Sequence, residues 1–430
     1  MRITVVALGK IGLPLAVQFA RSGHTVVGAD IDQRTVDLVN AGREPFPGEA
    51  HLAEYLTEVV GDGRLSATTD TASAVAASDA VVLVVPLFVD ENGVPDFAAM
   101  DAASGAVAEG LRPGTLVSYE TTLPVGTTRT RFGPLLSEGS GLTAGTDFPL
   151  VFSPERVFTG RVFSDLRKYP KLVGGIDPAS TAAGIDFYEQ VLQFDDRDDL
   201  PQPNGVWDMG TAEAAEMAKL AETTYRDVNI ALANQFARYA DRSGIDIERV
   251  IRACNSQPFS HIHQPGIAVG GHCIPIYPRM YLWNDPEATV VRAAREANAG
   301  MPAYAVSLLA SLAGDLSGRT VAVLGASYRG GVKETAFSGV FATVQALESA
   351  GAHAVVQDPM YDDDELRLLG FEPYHLGEAV DAAIVQADHA EYRDIGSGNL
   401  PAGVIVDGRR VLDVARFPDA TVVAIGAGDR

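Results

Sequence analysis

The sequence feature that most constrains the fold is a β-branched run that leads into a glycine turn, a helical pattern and a second β-branched run. Residues 2–6 (RITVV) and residues 25–29 (TVVGA) predict two strands, and residues 13–22 predict the helix between them. Such a crossover connection makes the two strands parallel. Further strand patterns follow at residues 80–85, 116–119 and 150–152. The sequence therefore predicts an α/β fold with a doubly wound parallel sheet.

A second start of the same kind lies in the last third of the chain. TVAVLG at residues 320–325 resembles ITVVALG at residues 3–9. The elements predicted after it are a helix at about 336–350, a strand that ends at Asp358, and strands at 382–386 and 404–407. We therefore expect two Rossmann-like domains rather than one.

The longest helical pattern lies between the two starts, from Thr211 to about Ser243. Thr211 is a plausible N-cap, and no proline interrupts the residues that follow. A long central helix is therefore predicted to join the two Rossmann-like domains. The predicted boundaries are 1–204 for the first domain, 205–315 for the central helical segment and 316–430 for the second domain.

Composition argues against some classes of function. The 430 residues include 33 Lys and Arg against 56 Asp and Glu, a formal net charge of −23. Because nonspecific nucleic-acid binding depends on clustered Lys and Arg, no nucleic-acid partner is expected. No apolar run reaches roughly 18 residues, so no membrane-spanning helix is expected. The two cysteines, Cys254 and Cys273, lack C-x-x-C spacing, which favours a reducing, cytoplasmic location.

The turn after the first strand reads ALGKIG at residues 7–12, with Lys10 and Ile11 between its two glycines. Gly9 permits a close backbone approach to a pyrophosphate, and Gly12 permits tight packing of the helix on the strand. The N–H groups at the start of the helix supply phosphate ligands. Because Ala7 replaces the first glycine of G-x-G-x-x-G, the turn alone is also compatible with an ordinary strand-to-helix connection.

Asp30 strengthens the cofactor interpretation. It ends the second strand, 18 residues after Gly12, where a carboxylate accepts hydrogen bonds from the adenosine ribose hydroxyls. A carboxylate there repels a 2′-phosphate, so NAD is predicted rather than NADP. Asp32 is a second candidate, although its position is more typical of a solvated turn residue. The second start reads GASYRG at residues 325–330, lacks this fingerprint and suits a different nucleotide.

Cys273 follows two glycines and a histidine, Gly270 to His272. The glycines let backbone N–H groups and a substrate approach the thiol closely, which favours a nucleophile. His272 is a candidate for lowering the pKa of that thiol. Cys254 has no such surroundings and is predicted to be a small buried hydrophobic residue. No metal site is predicted.

Motifs along essentially the whole chain now resemble one family. They are ETTLPVGTT at residues 120–128, SPER at 153–156, EMAKL at 216–220, RDVN at 226–229, HQPG at 263–266, GGHC at 270–273, VKET at 332–335 and QDP at 357–359. The chain resembles the UDP-glucose/GDP-mannose dehydrogenase family of nucleotide-sugar dehydrogenases. The DVN and HCIP segments are most similar to the UDP-N-acetylhexosamine 6-dehydrogenase branch.

The resemblance implies an enzyme that oxidises the C6 alcohol of a nucleotide sugar to a carboxylate with two NAD. Cys273 matches the cysteine that adds to the intermediate aldehyde, giving a thiohemiacetal and then a thioester that water hydrolyses. Lys219 matches the lysine that stabilises the developing oxyanion. Glu155 matches the glutamate that assists thioester hydrolysis as acid or base. Thr122 matches a threonine near the catalytic water and the nicotinamide.

Further site residues follow from the same resemblance. Pro86 and Thr121 join the glycine turn, Asp30 and Thr122 as cofactor-binding candidates. The substrate-binding candidates are Arg156, Thr223, Arg226, Asn229, His263, Gly266, Gly270, Arg329, Lys333 and Arg409. The resemblance also implies that the first domain binds NAD and the last domain binds the nucleotide. A homodimer formed through the central helix is expected.

The sequence departs from the family pattern at three positions. Thr223 stands where the family usually has Asn, and Tyr277 stands where it usually has a water-activating Asp. Tyr, with an ordinary pKa near ~10, is a poor base at neutral pH. Tyr277 stays a catalytic candidate because its hydroxyl can still donate or accept a hydrogen bond. Leu87 stands after Val85-Pro86 where the family has Thr, so one cofactor contact is lost. Two alternatives therefore stay open: a relative that performs a single two-electron step or a redox epimerisation, and a nucleotide-sugar-binding protein without turnover.

Overall fold

A computed structural model describes residues 1–90, 93–158 and 160–428 of the chain. The chain divides into two compact units, Met1–Ala221 and Glu222–Arg430. Among the described residues, no helix combines the length and the apolar composition that crossing a bilayer requires.

The first unit is built on a large, mostly parallel sheet. Its strands are β1 (Arg2–Val6), β2 (Thr25–Ala29), β3 (Leu65–Thr68), β4 (Ala80–Leu83), β7 (Leu116–Tyr119), β8 (Leu150–Phe152), β9 (Lys171–Gly175) and β10 (Val206–Thr211), with a small hairpin of β5 (Phe88–Val89) and β6 (Pro95–Asp96) beside them. Within the described residues the sheet has eight strands in the order β10-β9-β8-β7-β4-β1-β2-β3. This order confirms the predicted doubly wound architecture. From β1 the chain first adds strands on one side and then, from β4, on the other, so the switch in strand order lies between β1 and β4.

Helices cover the sheet of the first unit. They are α1 (Gly12–Arg21), α2 (Gln33–Asn40), α3 (Leu52–Gly61), α4 (Thr71–Ala76), α5 (Ala98–Gly110), α6 (Gly133–Ser140), α7 (Val162–Lys168) and α8 (Pro178–Val191), with a π-helical segment at Thr128–Phe132. Helix α1 shows why the pattern is helical: Leu13, Val17 and Ala20 recur at helical spacing and are fully buried. Their burial fixes the turn before α1 against the end of β1.

One pair of strands departs from the predicted parallel arrangement. β8 and β9 run antiparallel, with Phe152 opposite Gly174. Among the described residues between them, the chain forms only the seven-residue helix α7, which does not return it to the opposite edge of the sheet. The first residue of β9, Lys171, therefore lies at the edge where the parallel strands end. Strands β3, β9 and β10 were not predicted from the sequence.

The predicted long helix is confirmed as α9 (Ala212–Ser243), with 32 residues and a length of about 48 Å. The Oγ1 atom of Thr211 accepts the N–H of Ala214 at 3.2 Å, so Thr211 acts as the predicted N-cap. The helix begins in the first unit and ends in the second.

The second unit contains a parallel five-stranded sheet among its described residues, in the order β12-β11-β13-β14-β15. These strands are β11 (Thr320–Leu324), β12 (His353–Gln357), β13 (Ala382–Val385), β14 (Val404–Asp407) and β15 (Thr421–Ala424). The helices are α10 (Ile247–Cys254), α11 (Tyr277–Asn284), α12 (Thr289–Ala299), α13 (Met301–Ala313), α14 (Val340–Ser349) and α15 (Asp363–Leu368), with 3₁₀ turns at Ala390–Asp394 and Val414–Arg416. The predicted strands are confirmed, and the helix predicted from about 336 begins at Val340.

Candidate active site

The glycine turn of the first unit has the shape that a pyrophosphate needs. A Cβ atom on Gly12 would lie 1.9 Å from the carbonyl oxygen of Ala7, so only glycine fits there. A Cβ atom on Gly9 would have no atom within 4 Å, which leaves open space above the turn. Ala7 occupies the position of the missing first glycine and keeps the left-handed backbone, with a φ of 74°. The turn thus retains the geometry of the fingerprint despite the substitution.

Asp30 lies beside this turn, directly after β2. Its Oδ2 accepts the N–H of Leu8 at 2.7 Å, and its Oδ1 accepts the N–H of Asp32 at 2.9 Å. An ionised carboxylate has about four acceptor sites, so two such bonds leave capacity for the ribose hydroxyls. The Asp32 side chain instead accepts the N–H of Arg34 and caps α2. The residues present therefore fit NAD, and the position of Asp30 is compatible with its predicted role as the ribose ligand.

The loops after β4 and β7 begin at the same edge of the sheet, because the two strands are parallel neighbours. The Oγ1 atom of Thr121 donates to the carbonyl oxygen of Val85 at 2.7 Å and ties the two loops together. Pro86 is exposed in the first loop, and Thr122 is buried in the second. The predicted cofactor residues of both loops are thus adjacent to the reversal in strand order.

Glu216 of α9 holds the loop that follows Thr122. Its carboxylate accepts the N–H of Gly126 at 2.5 Å, the N–H of Thr128 at 2.9 Å and the hydroxyl of Thr128 at 2.7 Å. Burial raises the pKa of Glu216 to about 7, against the lowering effect of these donors. Glu216 is the first residue of the EMAKL motif, but no role was predicted for it from the sequence.

Lys219 and Glu155 meet in the first unit. Lys219 lies one turn after Glu216, is 9% exposed, and its Nζ donates to the carbonyl oxygen of Glu155 at 2.6 Å. Glu155 follows β8, and its Oε1 accepts the N–H of Arg156 at 2.6 Å. The Arg156 guanidinium donates to the carbonyl oxygen of Pro170 at 3.3 Å. The structure therefore brings together two of the predicted catalytic residues of this unit.

Lys171 adds a charged group that sequence analysis did not identify. Its Nζ lies 2.7 Å from Oε2 of Glu120 and 2.9 Å from Oε2 of Glu155. Burial raises the pKa of Glu120 to about 7 against the opposing effect of Lys171. Burial also opposes ionisation of Glu155, but the charges and hydrogen bonds around it, Lys171 foremost, hold its pKa below the usual range. A lysine directly before the apolar run LVGG was the available sequence signal.

In the second unit, side-chain amides hold the loop with His263 and Gly266. The Asn229 amide donates to the carbonyl oxygen of His261 at 2.7 Å and accepts the N–H of His263 at 3.0 Å. Asn234, five residues further along α9, is buried and accepts the N–H of Gly266 at 2.9 Å. Asn229 thus shapes this loop with its amide, in addition to its predicted role toward substrate.

Positive side chains lie near the same loop. A Cβ atom on Gly266 would lie 2.5 Å from Nη1 of Arg409, so glycine permits this close approach. Arg409 also pairs with Asp388 at 3.4 Å. Burial, followed by the nearby charge of Arg226, lowers the pKa of His263. Gly266, His263, Arg226 and Arg409 are thus gathered in one region of the second unit.

The loop with Cys273 is shaped by close glycine packing. A Cβ atom on Gly270 would lie 2.5 Å from the Cβ of Tyr328, and Gly271 has a φ of 91°. Cys273 is exposed, and its carbonyl oxygen accepts the N–H of Tyr277 at 2.9 Å at the start of α11. This geometry presents the thiol at the surface of a tight turn.

The other predicted residues of this part of the chain lie in different surroundings. The His272 ring lies 3.4 Å from Oε2 of Glu334. Lys333 pairs with Glu365, and the Arg329 guanidinium lies 5.9 Å from the Tyr328 ring centre. Thr223, which replaces the family Asn, is buried on α9. Cys254 ends α10 and is only half-buried, which is less than the sequence predicted.

Three family models match successive parts of the chain. They are the NAD binding domain of the UDP-glucose/GDP-mannose dehydrogenase family at residues 1–192, its central domain at 213–300 and its UDP binding domain at 322–414. Together they span most of the chain.

Whole-length relatives are similar to the chain as well. A UDP-N-acetyl-D-mannosamine dehydrogenase from Pyrococcus horikoshii is 34% identical over 425 residues, 96% of each chain. An NDP-N-acetyl-D-galactosaminuronic acid dehydrogenase from Ralstonia nicotianae is 31% identical over 96% of this chain and 97% of its own. The solved structure of the UDP-D-ManNAc dehydrogenase of P. horikoshii superposes with a TM-score of 0.87 at 32% identity, covering 100% of both chains. A solved UDP-N-acetyl-mannosamine dehydrogenase from Staphylococcus aureus gives 0.84 at 30% identity, covering 100% of this chain and 99% of its own.

Proposed function

Because the chain belongs to the UDP-glucose/GDP-mannose dehydrogenase family, we propose that it oxidises the C6 alcohol of UDP-N-acetylmannosamine to the uronic acid. The protein is an NAD-dependent nucleotide-sugar dehydrogenase, and the choice of sugar is the part we propose. It is supported by the P. horikoshii and S. aureus relatives, whose names specify N-acetylmannosamine. The relative from Ralstonia makes an N-acetylgalactosamine-type substrate the second candidate.

The observation that carries the chemistry is the contact between Lys219 and the backbone of Glu155, which puts a buried ammonium beside a buried carboxylate. When bound, NAD accepts the hydride from C6 in each oxidation. Lys219 stabilises the negative charge that develops on the C6 oxygen. The Cys273 thiolate adds to the aldehyde carbon and gives a thiohemiacetal, which loses the second hydride to become the thioester that water later cleaves. Glu155 takes the proton of that water.

Tyr277, in place of the family aspartate, is the residue that bears on whether the protein performs two oxidations or one. Without an aspartate at this position, hydrolysis of the thioester depends on Glu155 alone. We therefore expect a rapid first phase of NADH formation followed by a slower steady state. Two NADH per sugar support the full pathway, one NADH per sugar supports a single two-electron oxidation, and catalytic amounts support epimerisation.

The test combines a substrate panel with one pair of cysteine variants. The panel contains UDP-N-acetylmannosamine, UDP-N-acetylglucosamine, UDP-N-acetylgalactosamine and UDP-glucose, assayed by NADH absorbance. We expect the highest kcat/KM with UDP-N-acetylmannosamine. Cys273→Ser is expected to abolish the thioester detected by intact mass, whereas Cys254→Ser, the matched control, retains it. Equal turnover on the whole panel, or carboxylate formation at the unsubstituted rate by Cys273→Ser, would contradict the proposal.

The other predicted site residues keep their predicted roles in this proposal. Residues 1–204 hold NAD, with Gly9, Gly12 and Asp30 as its main ligands. Residues 205–315 carry Lys219 and Cys273, and residues 316–430 bind the nucleotide through the positive side chains described above. A cytoplasmic location is consistent with the two unpaired cysteines.

We also propose a homodimer through α9. Large apolar side chains at helical spacing stay exposed on one face of this helix in the second unit: Tyr225 (55%), Leu232 (44%), Phe236 (37%) and Tyr239 (57%). Such a stripe fits the same stripe of a second copy packed against it. Light scattering is expected to give twice the mass of one chain, and Leu232→Arg with Phe236→Arg is expected to halve it. Arg249→Glu, on the exposed face of α10, serves as the control, and a monomeric unsubstituted protein would contradict the dimer.

A further inference from the structure

A group of buried polar side chains in the first unit has no assigned part in the reaction beyond Glu155 itself. We call it the Lys171 cluster: Glu120, Glu155, Lys171 and Tyr188. Lys171 is 4% exposed in its side chain, Glu120 is fully buried, and Glu155 is 11% exposed. An ammonium and two carboxylates at this depth are costly to bury unless each is paired. The cluster therefore needs an explanation beyond packing.

Hydrogen bonds fix the direction of both carboxylates. Each carboxylate places one oxygen on the Lys171 ammonium, at 2.7 Å for Glu120 and 2.9 Å for Glu155. The second oxygen of Glu120 accepts the Tyr188 hydroxyl at 2.6 Å, and the second oxygen of Glu155 accepts the N–H of Arg156 at 2.6 Å. With both oxygens engaged, neither carboxylate can rotate without losing a charge-assisted bond.

The charges around Glu155 come from several elements. Glu120 follows β7 and repels the Glu155 carboxylate, while Lys171 of β9 attracts it. Lys219 of α9 adds a second attractive charge, and Tyr188 of α8 is neutral because burial and Glu120 raise its pKa well above the ordinary value. If Lys171 lost its charge, desolvation and Glu120 would both favour the protonated form of Glu155. A protonated Glu155 cannot accept a proton from water.

We propose that Lys171 is a positioning residue, which keeps the Glu155 carboxylate ionised and directed so that it can accept a proton. This inference rests on the proposed role of Glu155 in thioester hydrolysis. In that step the water oxygen bonds to the thioester carbonyl carbon, and the proton of the water moves to the Glu155 carboxylate. The C–S bond breaks, and its electron pair returns to the sulfur of Cys273. Lys171 touches neither the water nor the thioester.

The test measures how fast the acyl-enzyme decays in single turnovers between pH 5.5 and 9, by intact mass. Lys171→Met is expected to raise the apparent pKa of this decay from below its ordinary range to about 7, so that the rate near pH 6 falls about tenfold. Near pH 9 the rate is expected to recover toward that of the unsubstituted enzyme. Lys171→Arg is expected to keep the pH profile of the unsubstituted enzyme because it keeps the positive charge. Lys168→Met, an exposed lysine of α7, is the matched control and is expected to change nothing.

Glu120→Gln gives a second test in the Lys171→Met background. There it deletes the repelling carboxylate, so the raised apparent pKa of decay is expected to fall part of the way back. With Lys171 present, Glu155 is already ionised across this pH range, so Glu120→Gln alone is expected to leave the profile unchanged. A uniformly slower decay with an unshifted profile in Lys171→Met, or no reversal by Glu120→Gln in that background, would overturn the positioning role.

Failure of the proposed function would look different. If Glu155→Gln hydrolyses the thioester at the unsubstituted rate, Glu155 is not the base, whatever the Lys171 variants do. If the unsubstituted protein forms no acyl-enzyme with any nucleotide sugar, the proposed reaction itself is wrong. Either outcome contradicts the proposed function. An unshifted pH profile in Lys171→Met, when Glu155→Gln does slow hydrolysis, contradicts only the positioning role of Lys171.

Discussion

Gly9 and Gly12 lie in one turn, yet a methyl group would meet very different surroundings at the two positions. In Gly12→Ala the new carbon would overlap the carbonyl oxygen of Ala7 at 1.9 Å. Such overpacking typically costs about 1–3 kcal/mol or more, so we expect a clearly lower Tm.

Gly9→Ala is the matched comparison because open space surrounds its Cβ position. We expect a Tm close to that of the unsubstituted protein and a marked increase in the KM for NAD, since the methyl group would occupy the space of the pyrophosphate. Differential scanning fluorimetry and NADH kinetics separate the two effects. Equal losses of Tm in the two variants would contradict this account of the turn.

Asp30 combines a structural contact with a predicted cofactor contact. Asp30→Asn retains an oxygen for the N–H of Leu8 but removes the negative charge. We expect the KM for NAD to rise about tenfold, the effect of ~1.4 kcal/mol, and discrimination against NADP to weaken. Parallel titrations with both cofactors measure this.

Asp32→Asn is the control for that experiment. Asp32 caps α2 through the N–H of Arg34, so its loss is expected to affect stability more than cofactor choice. Equal use of NAD and NADP by the unsubstituted enzyme would show that the charge of Asp30 does not set the preference.

At the scale of elements, the connection from α9 to the loop after β7 depends on Glu216. Its carboxylate accepts three hydrogen bonds from Gly126 and Thr128. In Glu216→Gln the amide N–H₂ would face a backbone donor, which leaves buried groups unpaired at a cost of about 1–3 kcal/mol. We expect a lower Tm and faster hydrogen exchange across residues 121–128.

Glu213 offers a matched control on the same helix. It pairs with Arg129 in a partly exposed ion pair, and such pairs contribute only about 0–1 kcal/mol. Glu213→Gln is therefore expected to leave exchange at residues 121–128 nearly unchanged. If both variants behave alike, Glu216 does not hold the loop.

Local sequence patterns predicted most of the sheet but not its two reversed strands, β9 and β10. The runs at residues 2–6, 25–29 and 116–119 became strands at those bounds because each is a short apolar or β-branched segment between turn signals. β9 begins with a lysine and ends in two glycines, and neither residue type favours a strand. Pairing with β8 and β10 makes it one, and the sequence does not reveal such pairing.

The same limit applies to the candidate site. The glycine turn and Asp30 could be predicted because the residues of a βαβ unit are close in sequence. Lys171 contacts Glu120, 51 residues away, and Glu155, 16 residues away, and these residues belong to three neighbouring strands or the loops that follow them. No periodic pattern in the sequence predicts such contacts. The roles of the individual site residues stay predictions until the variants are measured.

At the scale of the whole molecule, the net charge of −23 opposes the approach of anionic ligands. NAD and a nucleotide sugar both carry a diphosphate, so their encounter with this surface is slowed at low ionic strength. Between about 10 mM and 150 mM salt the Debye length falls from ~30 Å to ~8 Å. We expect kcat/KM for both ligands to rise over this range while kcat stays nearly constant.

Potassium chloride and choline chloride at equal ionic strength provide the control for this prediction. Screening depends on ionic strength, so the two salts are expected to act alike, whereas a specific cation effect would separate them. A fall in kcat/KM with added salt would indicate that local Arg and Lys residues dominate the encounter instead.

The reversed strand β9 also has a consequence for how the sheet reaches a unique alignment. All five of its residues are buried, so an inside–outside pattern cannot by itself select the register of the strand. A slip of one residue would put Leu172 between Glu120 and Glu155 and leave two desolvated carboxylates without a counter-charge. Misaligned pairings are thereby penalised far more heavily than in an apolar strand. The lysine that prepares a carboxylate for chemistry thus also specifies which of several near-equivalent alignments the folding chain retains.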